Sequence, residues 1–257
     1  MRLFLALVSV ASSALIAAAA LYSQAPAEKV YDADAEKVLV LSDFESPEEI
    51  FNGATEKDFS KAKPLESKVP IWLAHEDAKW QANRLEISDE HVFHGRHSLK
   101  AHGNVGSGHA WTPTVRRSFN GDWTGYDAIR FFAHSPEDKP VQWALFIWLG
   151  YTDADGKPQE IQPWLLFSMK KGDAELEIPL SAFDDLKWQG PVGGCGGGIN
   201  MTAMKLWDQD KKYDYLHKNG WKFNDIRAMA VGLRGNYDQK VTHDYWVDYI
   251  RLVKKKK

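Results

Sequence analysis

Two β-patterned segments near opposite ends of the chain carry acidic residues set into apolar runs. The first is Val38-Leu39-Val40-Leu41-Ser42-Asp43-Phe44-Glu45, and the last is Tyr245-Trp246-Val247-Asp248-Tyr249-Ile250-Arg251-Leu252. A carboxylate turned to the covered side of a sheet is costly unless it is paired or bound to a cation. Strict alternation puts Asp43 on one face with Glu45, and Asp248 on the inward face with Ile250 and Leu252. The expectation is that both ends close one sheet and share a buried cation.

Between them, strand-like runs recur at 97–101, 115–119, 128–133, 141–149, 161–169, 174–178 and 226–233, separated by Gly, Pro, Asn and Asp turns. Many short strands with regular turn signals predict an all-β sandwich or barrel. Two regions break the pattern, 46–92 and 187–222, and read as long loop insertions. Short helical turns are expected at 48–52 and 181–185, and a short helix within 201–219. The run Gly193-Gly194-Cys195-Gly196-Gly197-Gly198 reads as a loop. It lacks the trailing Lys-Ser/Thr of a phosphate loop.

After Arg2, an apolar stretch over 3–21 leads to Ala25-Pro26-Ala27. This reads as a secretory signal over 1–27 rather than a membrane anchor. The expected product is secreted or periplasmic, with no stable membrane insertion after cleavage. Residues 28–37 read as a disordered lead-in, 38–253 as one domain, and 254–257 as a basic, solvated tail. A net charge of −3 gives no electrostatic case for nucleic acid. The single Cys195 cannot form an internal disulfide. An exported domain without one needs a large core or a structural cation.

No H-E-x-x-H or G-x-S-x-G signature is present. Glu175 and Glu177 share a strand face and read as a solvated pair rather than a glycosidase acid and base. Asp153-Ala154-Asp155-Gly156 lacks the downstream Glu of a calcium loop and reads as a plain connecting turn. His91, His94, His97, His102 and His109 read as solvated loop residues rather than a zinc site.

The candidate ligand surface comes from two strands. In 141–149, Gln142, Ala144, Phe146 and Trp148 form one face; in 161–169, Gln162, Trp164, Leu166 and Ser168 do. If these faces align, Gln142, Trp148, Gln162 and Trp164 line one concave surface. An aromatic plane for the apolar side of a pyranose, with amides for its hydroxyls, suits sugar recognition. The competing reading is that the insertions cover this sheet and the Trp residues form a second core. Arg130, His134, Arg234 and Tyr237 are further polar candidates near strand ends.

The motif order adds a resemblance. Asp43-Phe44-Glu45, Gly95-Arg96-His97-Ser98-Leu99-Lys100, Trp123-Thr124-Gly125-Tyr126-Asp127-Ala128-Ile129-Arg130-Phe131, Ile178-Pro179-Leu180-Ser181-Ala182-Phe183 and Val247-Asp248-Tyr249-Ile250-Arg251-Leu252 succeed one another. This order resembles the non-catalytic carbohydrate-binding modules of family-11-like type. The resemblance implies a jelly-roll β-sandwich of the galactose-binding-domain-like kind. It also implies a structural Ca²⁺ where the first and last strands meet, held by Asp43, Glu45 and Asp248 with a carbonyl near Arg96 or His97. Tyr249 departs from the second acid often found there. The implied function is a monomeric carbohydrate-binding protein that does not cleave its ligand. Two other functions stay open. One is a jelly-roll polysaccharide lyase or glycoside hydrolase using Tyr213, Tyr215 or His217 with an arginine. The other is an envelope scaffold or assembly protein.

Overall fold

The computed structural model describes residues 31–54, 72–75, 84–105, 114–136, 141–200, 209–234 and 241–257. The chain divides into two units, Met1–Asp34 and Ala35–Lys257. Of the first, only a short turn at 31–34 is described, so the expected signal segment lies outside the described residues. Among the described residues, no helix is long and apolar enough to cross a membrane.

The second unit is a jelly-roll β-sandwich. Its strands are β1 (Ala35–Ser42), β2 (Ile50–Ala54), β3 (Trp72–His75), β4 (Arg84–Ser88), β5 (Ser98–Val105), β6 (Thr114–Gly121), β7 (Ala128–Ser135) and β8 (Val141–Thr152). They continue with β9 (Pro158–Ile161), β10 (Trp164–Met169), β11 (Gly172–Pro179), β12 (Gln189–Pro191), β13 (Gly197–Asn200), β14 (Ile226–Arg234) and β15 (Val241–Lys255). A six-stranded sheet runs β11-β7-β15-β5-β4, with β1 also on β15. A nine-stranded sheet runs β12-β13-β10-β8-β14-β6-β3-β2, with β9 on β8. Successive strands cross between sheets: β5 to β6, β6 to β7, β7 to β8, β10 to β11, and β14 to β15. Among the described strands, all pairs are antiparallel except β2 with β3.

The two expected insertions contribute strands as well as loops. The first supplies β2 and β3 to one sheet and β4 to the other; the second supplies β12 and β13. Pro47–Glu49 forms a 3-10 turn, with β2 beginning at Ile50 where a helical turn had been expected to continue. Among the described residues, two α-helices follow, α1 (Ser181–Asp184) and α2 (Gln209–Asn219).

The core lies between the sheets and is filled by one face of each strand. Leu99, Ala101, Phe131, Ala133, Tyr245 and Val247 meet Trp143, Leu145, Ile147, Leu165, Phe167, Met229 and Val231. Trp143 sets its ring edge-on to Tyr245 at 5.1 Å, an aromatic contact across the sandwich. The indole N–H of Trp72 donates to Ser42 Oγ at 2.9 Å, and Ser42 Oγ donates to the buried Glu49 at 2.5 Å. These polar links hold β3 against β1.

The run expected over 161–169 breaks at Gln162-Pro163, where proline offers no N–H to the ladder. Register persists across the break, because Ile161 pairs Leu149 and Trp164 pairs Phe146. At the other end, β1 starts at Ala35, inside the expected lead-in, and β15 runs through Lys255, inside the expected tail. Lys254 pairs Glu36 and Lys255 pairs Glu177, which places these two lysines in the sheet.

The glycine run turns the chain from a bridge at Gly193 into β13. Gly194 has φ +79°, and a Cβ there would overlap the Glu175 carbonyl oxygen. Gly196 would meet only Ser168 O at 3.7 Å, an ordinary contact. Gly194→Ala should therefore cost about 1–3 kcal/mol in denaturant unfolding. Gly196→Ala should leave stability unchanged or raise it by about 0.4–1 kcal/mol. Equal effects at both positions would contradict this backbone approach.

Candidate functional site

The first candidate surface is the outer face of the nine-stranded sheet. Trp143, Leu145, Ile147 and Leu149 point into the core, so Gln142, Ala144, Phe146 and Trp148 point out. On β10, Leu165, Phe167 and Met169 point in, and Trp164, Leu166 and Ser168 point out. Cross-strand pairs then form rows. Phe146 pairs Trp164 and Ala230, Ala144 pairs Leu166, and Gln142 pairs Ser168 and Arg234. The common register on both sides of Gln162-Pro163 puts Gln162 opposite Trp148. The expected alignment of the two Gln-and-Trp faces is present.

The accessibility of these residues differs. Ala144, Phe146, Trp164, Leu166 and Ala230 form a second buried apolar cluster, with Trp148 packed at its edge. Trp164 is only 7% exposed and stacks on Phe146 at 5.4 Å. It serves as floor rather than as an open stacking plane. Trp148 is half-buried, 6.2 Å from Phe146. Gln142 is exposed, and Gln162 and Ser168 are partly so. The β13 edge adds exposed Ile199, which pairs with Leu166 and with exposed Gln189. Sequence reading missed Ile199 and Gln189, because only the register of the β12-β13 hairpin brings them to this face.

Arg130 and His134 belong elsewhere. Both project from β7 on the outer face of the six-stranded sheet, on the opposite exterior of the sandwich. Arg130 is buried and holds Glu177 through Nε at 2.8 Å and a terminal nitrogen at 2.7 Å. Alternation identifies neighbours within a strand but does not say which sheet the strand joins. Arg234 lies beside Gln142 in register, with its side chain outside the described set, and Tyr237 lies outside the described residues.

Two carboxylates of the terminal strands, Glu45 and Asp248, come near enough to repel each other, by a different route from simple alternation. β1 pairs β15, as the matching ends predict. Yet β1 ends at Ser42, and Phe44 takes φ +57°, so Asp43 and Glu45 sit in a turn rather than on one strand face. On β15 the pairing slips between Asp248 and Arg251, with Tyr249 at φ +46°. This bulge reverses the alternation. Asp248 pairs Phe132 on the outer face, while Ile250 and Leu252 point into the core.

Asp248 is nevertheless fully buried, beneath the turn that joins β4 to β5. Its Oδ2 accepts the backbone N–H groups of Phe93 at 2.8 Å and His94 at 2.9 Å. Glu45 Oε1 accepts those of Arg96 at 2.7 Å and His97 at 2.9 Å. Gly95 makes this possible, since a Cβ there would overlap Glu45 Oε1. Burial opposes ionisation of Glu45, but the Arg96 and His97 amides and the charges beside it hold its pKa below the ordinary range. Burial pushes Asp248 up to about 6, against the pull of the backbone amides and with the help of the Glu45 charge.

These carboxylates fit a hard cation in one respect: Asp248 Oδ1 is buried and has no hydrogen-bond partner. Glu45 and Asp248 would be the carboxylate ligands of a Ca²⁺, which would neutralise their mutual repulsion, whereas Asp43 Oδ1 accepts the Glu45 backbone N–H at 3.4 Å. Around Arg96 and His97, the backbone amides face Glu45. The same carboxylates already fasten the turn as amide caps.

Other candidate groups are engaged. The buried Tyr213 hydroxyl donates to Phe183 O at 2.6 Å, and that of Tyr215 to Thr152 O at 3.2 Å. Glu175 pairs Arg251 and Glu177 pairs Arg130 and Lys255. Burial opposes ionisation of Glu177, but the Lys255 and Arg130 hydrogen bonds and charges hold its pKa low. A carboxyl held this low is not poised as a general acid. Asp153 caps the amides of Asp155 and Lys157 and accepts from Gln159, as a connecting turn requires.

No protein-family model and no curated protein matches the chain. Solved structures do. A family 11 carbohydrate-binding module from Clostridium thermocellum, in complex with a β-1,3-1,4-mixed-linked tetrasaccharide, is 14% identical with a TM-score of 0.40. The match covers 70% of this chain and 91% of that one. The CBM22-1 xylan-binding domain from Paenibacillus barcinonensis Xyn10C is 14% identical at TM-score 0.34, over 72% and 87% of the chains. An agarase, AgWH50C, is 13% identical at TM-score 0.39, over 85% of this chain and 25% of that one. The matched structures include carbohydrate-binding modules of families 11, 22, 27 and 28. Identities this low transfer no residue role.

The carboxylate site generates a pH test. Asp248 has its folded pKa above its ordinary value of 3.8, so the folded state holds the extra proton between that value and about 6. In chelator, stability should fall as pH rises through that window. Added Ca²⁺ should raise the melting temperature most above it. Asp248→Asn should flatten the slope and abolish the Ca²⁺ response. A wild-type melting temperature indifferent to Ca²⁺ at neutral pH would exclude the cation and leave the amide-capping role.

Proposed function

We propose that this chain is an exported carbohydrate-binding protein that holds a saccharide on the outer face of its nine-stranded sheet, without cleaving it. The supporting observation is the paired row of Trp148 and Gln162 beside an aromatic floor of Phe146 and Trp164. Trp148 offers a plane for the C–H face of a sugar ring. Gln162 and Gln142 offer both donors and acceptors to hydroxyls. Gln189 and Ile199 extend the rim along the sheet edge. Export rests on the apolar segment and small-residue site at 3–27. A Ca²⁺ on Glu45 and Asp248 would be structural in this reading, since it sits at the six-stranded sheet and away from the saccharide.

One observation favours a second reading, an envelope scaffold. The floor of the sheet is buried, and Val38, Leu39 and Val40 are exposed on β1. A scaffold would use such apolar strand surface for assembly.

A glycan array paired with a reducing-sugar assay separates the readings. Binding without release of reducing ends is expected. Trp148→Ala should weaken the best glycan by roughly five-fold, about 1 kcal/mol, and Gln162→Ala by less. Absence of any glycan signal would favour the scaffold, and release of reducing ends would favour an enzyme.

A further inference from the structure

The outer face of the six-stranded sheet carries a second cluster, distinct from the carboxylates above. His134 on β7 pairs in register with Asp173 on β11 and with Trp246 on β15. The turn between β4 and β5 folds over this face. It is pinned by Asp248 on the Phe93 and His94 amides, by Phe93 stacked on Phe132 at 4.8 Å, and by His94 stacked on Tyr249 at 4.0 Å. This delivers His91 onto His134, ring over ring at 3.4 Å. His91 takes φ +49°, a conformation an L-residue holds only when its surroundings require it.

Asp173 Oδ1 lies 2.5 Å from His134 Nδ1 and 3.4 Å from His91 Nδ1. One ligand atom from each of the three residues lies within 4.8 Å of the others. Bonds of about 2.0–2.2 Å in a tetrahedral zinc site put neighbouring ligand atoms roughly 3.3 Å apart. The His91–Asp173 spacing already has that value. The His134–Asp173 hydrogen bond would open by somewhat under about 1 Å, and the stacked rings would turn to aim both nitrogens at one point. Trp246 stands edge-on to both rings, at 4.5 and 5.3 Å, and walls the cluster with apolar surface. Such a wall limits solvent access and strengthens ligation.

We propose that His91, His134 and Asp173 form a site for one divalent transition-metal ion, of which Zn²⁺ is the first candidate. Two imidazoles and one carboxylate select Zn²⁺, Ni²⁺ or Cu²⁺ over Ca²⁺. Three protein ligands leave a position for water or an outside ligand. The ion would cross-link the β4-β5 turn to β7 and β11, in a chain whose lone Cys195 provides no disulfide. The site is independent of the saccharide reading.

The test is calorimetric titration of Zn²⁺ into the full chain with Ca²⁺ in excess, supported by the visible spectrum of the Co²⁺ form and by melting temperature. One ion per chain is expected, with a raised melting temperature and the intense visible bands of tetrahedral Co²⁺. His91→Gln, His134→Gln and Asp173→Asn should each lower affinity by roughly ten-fold or more. His102→Gln should retain it. His134 is packed under His91 and Trp246, so if its variant does not fold, Asp173→Asn carries the result, its side chain being 53% exposed. No saturable Zn²⁺ binding would overturn the proposal. So would binding that survives the Asp173 and His91 substitutions unchanged.

Discussion

The break in alternation at Tyr249 is the constraint on which the six-stranded sheet depends. β15 is its spine, with β7 along one edge and β5 then β1 along the other. A perfect period of two would force either Tyr245 and Val247 or Ile250 and Leu252 away from the core. The bulge lets all four face inward. It also puts Asp248 and Arg251 on the outer side. Asp248 then reaches the amides of the β4-β5 turn, and that turn delivers Phe93, His94 and His91 onto the sheet. Arg251, fully buried, donates to Tyr249 O at 3.0 Å, pairs Glu175 and lies over the rings of Phe132 and Tyr249. A buried guanidinium needs that many partners to offset its lost hydration.

The strands were largely legible because their turns are marked by Gly, Pro, Asn and Asp. The meeting of the two ends was legible too, since both carry the same acid-in-apolar signature. The bulge was not, because nothing in Asp248-Tyr249-Ile250 marks a left-handed residue where a glycine would have done so. Phe44 hid its turn for the same reason. Alternation correctly sorted the faces of β8 and β10, and hence the Trp148 and Gln162 neighbours. It could not assign β7 to the opposite sheet, which moved Arg130 and His134 out of the expected site. Nor could it show that Trp164 is buried, since cover over a sheet face is a long-range property. The His91, His134 and Asp173 cluster joins residues separated by more than one strand, and sequence spacing alone carries no trace of it.

The two exteriors of the sandwich differ chemically. On the six-stranded sheet, charges alternate and neutralise one another. Lys100 lies among Glu90, Asp244 and Glu86 at 3.2, 3.6 and 3.7 Å, His102 pairs Asp244, and Arg130 and Lys255 share Glu177. A neutral polyol arriving there would have to compete with ion pairs for every donor and acceptor. The outer face of the nine-stranded sheet instead presents an apolar floor bordered by the amides of Gln142, Gln162 and Gln189 and the Ser168 hydroxyl, with Arg234 in register beside Gln142. Uncharged groups lose less hydration than ions when a ligand covers them, and they bond to hydroxyls in either direction. That difference separates the two exteriors: ion pairs and carboxylates lie on one, and the row of Trp148 and Gln162 on the other.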